Sequence, residues 1–216
     1  YSEINNTPRP GHADYTARLR YGDSVDMRGG GHFSGRITLG LVAAGVVAKR
    51  ILGNEVVFNT DIVEIGGSRD RTQFDAIIEN ARMEQDSVGG IIECRVSGIP
   101  SGLGEPFFDS VESQIAHLLF SVPAVKGVEF GAGFACSGMR GAEHNDMIIN
   151  KEGHTATNHA GGVVGGISNG NEIVVRVAVK PTASISREQH TFNFASQSVE
   201  PLTIKGRHDV CIALRA

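Results

Sequence analysis

The sequence of 216 residues contains no tryptophan and only three cysteines. Cys94, Cys136 and Cys211 lie far apart, and no C-x-x-C pair occurs. An odd, scattered set of cysteines argues against a disulfide framework and against a cysteine-based zinc site. We therefore expect reduced, buried thiols in a cytoplasmic protein.

The sequence also lacks any apolar run long enough to span a bilayer, and no signal peptide is visible. Lysine and arginine total 20 against 24 acidic residues, for a formal net charge of −4. This balance gives no general affinity for nucleic acid. The histidines at 154, 159 and 208 fit no metal-ligand spacing. We expect no nucleic-acid partner, no membrane partner and no metal.

Neither G-x-x-x-x-G-K-S/T nor a clean G-x-G-x-x-G after a strand occurs, which disfavours the two common nucleotide motifs. A triple glycine at 29–31 is nevertheless flanked by Arg28, His32 and Arg36, with Ser34 following. Serine is a favoured N-cap, and a glycine-rich lead-in exposes the first helical amides. This span predicts a phosphate site, although most such turns serve only chain geometry.

Hydrophobic periodicity predicts a mixed α+β protein. The helix predicted over Leu39–Leu52 is apolar at almost every position, so we expect it to be buried on all sides in a layered fold or a subunit interface. Amphipathic helices are predicted over 73–85 and after Asp109, the expected N-cap of the second. The expected strands are 55–65, 91–96, 125–130, 172–179, 191–194 and 202–204. Hairpin-like neighbours favour antiparallel sheets, and no linker divides the single domain expected over 1–216.

Several blocks along the chain, in order, resemble the chorismate synthase family. They are R-P-G-H-A-D-Y from Arg9, R-G-G-G-x-x-S-x-R from Arg28, D-S-V-G-G from Asp86, G-I-P-S-G-L-G-E-P-F-F-D from Gly98, S-V-P-A-V-K-G-V-E-F-G-A-G-F from Ser121, N-H-A-G-G-V-V-G-G-I-S-N-G from Asn158, K-P-T-A-S-I from Lys180 and G-R-H-D from Gly206. The resemblance implies a β-α-β sandwich, with helices between two antiparallel sheets. Leu39–Leu52 suits its middle layer.

The resemblance also implies an activity. It is the anti-1,4-elimination of phosphate from 5-enolpyruvylshikimate 3-phosphate to give chorismate, with reduced FMN as a transient electron donor. A cytoplasmic homotetramer is implied, and we expect an external flavin reductant because no reductase domain is visible. The chain lacks the family's N-terminal and C-terminal segments, so we expect the central part of such an enzyme. Two alternatives stay open: an inactive flavin- or phosphate-binding fragment, and a flavin oxidoreductase.

Matching the family's motifs assigns roles to residues of this chain. His12 is implied to protonate or steady the reduced flavin, as an imidazole can near neutral pH; the simpler interpretation is a loop cap after Pro10 and Gly11. The implied flavin contacts are His32, Phe33, Ser34, Pro123, Ala124, Gly165, Lys180, Pro181, Thr182, Ala183, Ser184 and Arg207. The implied substrate contacts are Arg28, Arg36 and Arg207. On physical grounds, Lys180 with the hydroxyls of Thr182 and Ser184 suits a phosphate cradle.

Two residues depart from the family pattern. His32 stands where an arginine is usual, so its positive charge is conditional and phosphate affinity is expected to depend on pH. Ala183 replaces a common hydroxyl residue and removes one hydrogen bond.

Overall fold

The computed structural model describes residues 6–26, 28–206 and 208–215. The α-helices of this described part are α1 Asp14–Tyr21, α2 Leu39–Leu52, α3 Phe74–Met83, α4 Val111–Leu119 and α5 Gly141–His144. Its strands are β1 Val57–Ile65, β2 Gly90–Ser97, β3 Val125–Phe130, β4 Val163–Val164, β5 Ile167–Ser168, β6 Ile173–Val179, β7 Gln189–Asn193 and β8 Ser198–Leu202.

An antiparallel sheet in the order β1-β2-β6-β3 forms the centre of the fold. Two short antiparallel pairs, β4 with β5 and β7 with β8, lie outside it. The predicted α+β class with antiparallel sheets is confirmed. Strand β6, which lies inside this sheet, carries the most continuous burial, since Ile173, Val174, Val175, Val177 and Val179 are all buried.

The core lies on one face of the central sheet. Ile65, Ile92, Val177 and Val179 form a buried cluster there. The apolar sides of α3 and α4 pack against it through Phe74, Ile77, Ile78 and Leu119. The same cluster includes Cys211 and Ala213, which are buried near the end of the described chain. Removing these apolar surfaces from water is the main favourable contribution to the sheet–helix packing.

The opposite face of the sheet carries a row of charges. The register places Glu93 of β2 and Glu129 of β3 on either side of Arg176 in β6. Arg176 donates to Glu129 at 2.5 Å, to Glu93 at 3.1 Å and to the Gly131 carbonyl at 2.5 Å. Arg95, two residues after Glu93 on the same face of β2, donates to Glu93 at 2.7 Å.

Helix α2 has the predicted bounds, but the prediction that it is buried on all sides was wrong for this chain. Not one of its residues is buried; Leu39 is 74% exposed and Ile51 is 80% exposed. The described chain meets the helix mainly at the preceding 3₁₀ helix, Gly35–Thr38, and at Phe58, whose ring lies 4.9 Å from Lys49 Nζ. A helix that is apolar around its circumference needs neighbours on several sides, and few of them belong to these residues.

Other local predictions needed correction. Ser110, not Asp109, caps α4: its Oγ accepts from the Ser113 amide at 3.0 Å. Helix α1 was not predicted, and the last predicted strand, 202–204, overlaps the observed β8 only at Leu202. The prediction of buried thiols holds for Cys211 but was wrong for Cys136, which is exposed.

Within the described ranges, no helix combines the length and apolar character that a bilayer crossing requires. The same residues contain no cluster of three or more His, Cys, Asp and Glu side chains arranged to hold a metal ion.

Candidate functional site

A cleft of about 850 Å³ opens where the N-terminal segment, the glycine-rich turns before α2 and the ends of β3 and β6 meet. Its volume falls within the range of about 300–1,000 Å³ that is typical of small-molecule sites. Most residues assigned from the family motifs line this one cleft: His12, His32, Phe33, Ser34, Arg36, Pro123, Ala124, Lys180, Pro181, Thr182, Ala183 and Ser184.

Three assigned residues do not contribute to the described lining. Gly165 lies in the exposed turn between β4 and β5, where its φ is 65°, and it is not among the residues that line the cleft. Arg207 lies outside the described residues, and the side chain of Arg28 is likewise not described.

The conformation of the glycine-rich turn requires a residue without a side chain at position 31. Gly31 has a φ of +51°, and a Cβ there would overlap the carbonyl oxygen of Asp26. Glycine alone adopts such a conformation without strain. Two 3₁₀ helices, Arg28–Phe33 and Gly35–Thr38, then lead directly into α2. The backbone is therefore held close to the cleft.

Ser34 caps the second 3₁₀ helix and not α2 itself. Its Oγ accepts from the Arg36 amide at 3.3 Å and from Arg36 Nε at 3.0 Å. The Arg36 amide, which was predicted to be free for a ligand, is therefore already hydrogen-bonded within the chain. The hydroxyl hydrogen of Ser34 is not used in either bond and can be donated to a ligand.

Lys180 follows β6 and brings an ammonium group to the cleft. Its Nζ donates to the Gly11 carbonyl at 2.7 Å, and its amide donates to Ala124 O at 2.9 Å. An ammonium carries three donors, so two are left for a ligand. Burial, and secondarily the charge of Lys126, lowers the pKa of Lys180.

The two hydroxyls of the predicted cradle differ. Thr182 Oγ1 donates its hydrogen to the Asp209 carbonyl at 2.5 Å, so it has no hydrogen left for a phosphate. Ser184 Oγ accepts from Arg9 Nη1 at 2.9 Å and keeps its own hydrogen. Lys180 and Ser184 can therefore donate hydrogen bonds to a phosphate in the predicted cradle. Thr182 instead holds the chain near Asp209 in place.

A buried network beside His12 was missed by the sequence analysis. Asp14, the first residue of α1, accepts from Arg9 Nε and Nη2, each at 2.7 Å, and its Oδ1 lies 2.7 Å from His12 Nδ1. Burial disfavours the charged carboxylate. The hydrogen bonds from Arg9 and His12 outweigh burial, so the pKa of Asp14 lies well below its usual range. The signal in the sequence was an acidic residue two positions after the histidine.

The lining combines positive charge with apolar surface. Besides Lys180 and Arg36 it includes Lys205, which the sequence analysis missed. No carboxylate is among the described residues that line the cleft. Apolar walls come from Phe33, Ile37, Pro123, Ala124, Pro181, Ala183, Ile204 and Ile212. This composition suits a flat, partly apolar ligand that carries negative charge.

Comparisons with known proteins agree with one another. The family model described as chorismate synthase matches residues 1–216. The chain is 60% identical over 215 residues to the chorismate synthase of Chitinophaga pinensis and covers 64% of it. It is 45% identical over 245 residues to that of Korarchaeum cryptofilum and covers 67% of it. Both alignments cover 100% of this chain.

A solved structure described as a crystal structure of chorismate synthase superposes with a TM-score of 0.69 at 28% identity. The superposition covers 76% of this chain and 61% of that one. The chain thus spans about two thirds of the length of these relatives.

Proposed function

We propose, from the premise that this chain belongs to the chorismate synthase family, that the whole protein eliminates phosphate from 5-enolpyruvylshikimate 3-phosphate to form chorismate. One observation carries the proposal beyond the family name. Residues from separate motifs, among them His12, Ser34, Ala124 and Lys180, line a single cleft that has no described carboxylate in its lining.

The lining also supports reduced FMN as the cofactor. The ammonium of Lys180 and the hydroxyls of Ser34 and Ser184 have hydrogens available for a phosphate group. Pro123 and Ala183 belong to the apolar surface that a planar ring system requires. Reduced FMN held by these residues would supply transient electron donation to the substrate, with no net redox change over the reaction.

The cationic residues of the cleft act on the substrate. We infer that Arg36 and Lys205, together with His32 when it is protonated, bind the carboxylates and phosphate of the substrate. Charge-assisted hydrogen bonds from these groups also stabilise the negative charge that develops on the departing phosphate. His12 holds a proton close to the cofactor, and the apolar walls keep water away from the reacting atoms.

We further propose a cytoplasmic homotetramer supplied by an external flavin reductant. The exposed apolar side chains of α2 support assembly, because an apolar patch of that kind marks an interaction surface. The flavin contact assigned to Gly165 stays a prediction, since its exposed turn does not line the cleft of this chain.

An anaerobic assay of the full-length protein with photoreduced FMN tests the activity. Release of inorganic phosphate from 5-enolpyruvylshikimate 3-phosphate, with the flavin spectrum still reduced after many turnovers, is the expected result. Tight flavin binding without phosphate release would identify an inactive binding protein. Flavin oxidation in step with substrate consumption would identify an oxidoreductase.

Lys180→Met tests the assignment of the cleft. Loss of a charge-assisted contact costs about 1.5–3 kcal/mol, so the dissociation constant for FMN is expected to rise by roughly 10- to 100-fold. Lys49→Met is the matched control, because it removes an exposed lysine on α2. Equal FMN affinity in the two variants would place the flavin elsewhere.

A further inference from the structure

Both contacts made by the His12 ring are at the same nitrogen. Nδ1 lies 2.7 Å from Asp14 Oδ1 and 3.2 Å from Arg9 Nη2. Only one hydrogen or one lone pair points along this direction, so Nδ1 cannot donate to one neighbour and accept from the other. One of the two contacts must decide the tautomer.

The carboxylate of Asp14 determines which nitrogen of the neutral His12 ring carries the hydrogen. If Nδ1 were unprotonated, its lone pair would face the anionic oxygen of Asp14 at 2.7 Å, which is repulsive. If Nδ1 carries the hydrogen, the same distance is a short charge-assisted hydrogen bond. Arg9 Nη2 does not require the ring nitrogen as an acceptor, because it already donates to Asp14 Oδ1 at 2.7 Å.

Arg9 fixes the carboxylate in turn. Its backbone amide and Nε donate to Oδ2 of Asp14 at 3.0 and 2.7 Å. Its Nη1 reaches Ser184, 175 positions away in the chain. The side chains are only 10% exposed for Arg9 and 7% for Asp14. The pair is therefore held rigidly at the wall of the cleft, and its charges largely compensate each other.

We propose that Asp14, clamped by Arg9, is a positioning residue that holds neutral His12 as the Nδ1–H tautomer and leaves Nε2 as the nitrogen that exchanges a proton in the cleft. The catalytic part of this inference rests on the proposed function. In the reaction Asp14 touches neither cofactor nor substrate; it acts through the orientation of the imidazole ring.

Asparagine at position 14 should reverse the tautomer. An amide has one acceptor oxygen and one NH₂ group. The oxygen is required where Oδ2 accepts from the Arg9 amide and Nε, which turns the NH₂ group toward His12. Nδ1 would then have to accept a hydrogen bond, and the neutral ring would carry its hydrogen on Nε2.

Nitrogen-15 NMR of histidine-labelled, full-length protein with bound FMN tests the tautomer directly. The His12 signals are assigned by their absence in His12→Asn. The wild-type protein at mildly basic pH is expected to show a protonated Nδ1 and an unprotonated Nε2, and Asp14→Asn the opposite. A protonated Nε2 in the wild type would overturn the proposal, and that measurement needs no variant at position 14 to fold.

Kinetics test the consequence. A general acid–base group contributes about 10²–10⁴-fold, so Asp14→Asn is expected to lower kcat by roughly 10²-fold or more with little change in KM. Asp61→Asn is the control, since it removes another carboxylate bound to an arginine, Arg71, at an exposed position. A kcat for Asp14→Asn equal to that of Asp61→Asn would refute the positioning role.

If the wild type forms no chorismate, the proposed function fails while the NMR result still decides the tautomer.

Discussion

Arg176→Met perturbs the charged face of the central sheet in a way whose cost can be worked out from the structure. The variant removes the donor of two carboxylates, Glu93 and Glu129, and of one carbonyl. Leaving a fully buried charge unpaired costs about 3–5 kcal/mol. The side chains of Arg176, Glu93 and Glu129 are 21%, 15% and 26% exposed, so water offsets part of this cost. We expect a loss of about 2–3 kcal/mol in the free energy of unfolding at neutral pH.

The pH dependence of this loss gives a second test. Burial raises the pKa values of Glu93 and Glu129, but hydrogen bonds from arginines more than offset it, so both pKa values lie below the ordinary 4.5. Their stabilising effect is present above that pH and is lost as the pH falls through the lowered values. Without Arg176, the desolvation of Glu129 is no longer offset by its main partner, and protonation relieves the unpaired charge. The difference between variant and wild type should therefore shrink in acid.

Urea unfolding of the full-length protein, followed by circular dichroism at neutral and acidic pH, measures both effects. Arg82→Met is the matched control, because the pair of Arg82 and Glu79 is 60% and 55% exposed and such pairs contribute about 0–1 kcal/mol. The reasoning is refuted if Arg176→Met costs no more than Arg82→Met at neutral pH, or if its cost grows as the pH falls.

Three further predictions follow from the cleft and its surroundings. Gly31→Ala should lower the free energy of unfolding by about 1–3 kcal/mol more than Gly22→Ala in urea titrations, because both glycines have positive φ but only Gly31 would place a Cβ against a carbonyl; equal losses would contradict this. His32→Arg should lower the substrate KM, because arginine is permanently charged whereas histidine is not; an unchanged KM would exclude His32 as a charge partner. The pKa of Asp14 is lowered, so its stabilisation is lost as the pH falls below about 4; the unfolding free energies of wild type and Asp14→Asn should converge there, and a constant difference would refute the ionised role.

Secondary structure could be predicted well wherever the determining pattern is local. The periodicity of Leu39–Leu52 and of Val125–Phe130 fixed both elements at the bounds that the structure shows. The two-residue period of a strand likewise accounts for Glu93 and Arg95 lying on one face of β2. Predictions failed where neighbouring residues compete for the same role, as when Ser110 caps α4 in place of Asp109.

Burial could not be predicted in the same way. The composition of α2 shows that the helix can be covered, but not that residues of this chain cover it. Exposure depends on which surfaces meet in three dimensions, and here Leu39 and Ile51 remain largely in solvent. Apolar character gives a preference for burial, while packing partners decide whether it is realised.

The sequence by itself determined the family, the antiparallel α+β class and the residue types of the cleft, because motifs and periodicity are properties of short stretches. Only the tertiary structure decided how those residues are used. It ties the Thr182 hydroxyl to Asp209 and joins Arg9 to Ser184 across most of the chain. Each donor and lone pair can serve only a limited number of partners. Whether a side chain is available to a ligand therefore depends on neighbours that distance along the sequence does not reveal.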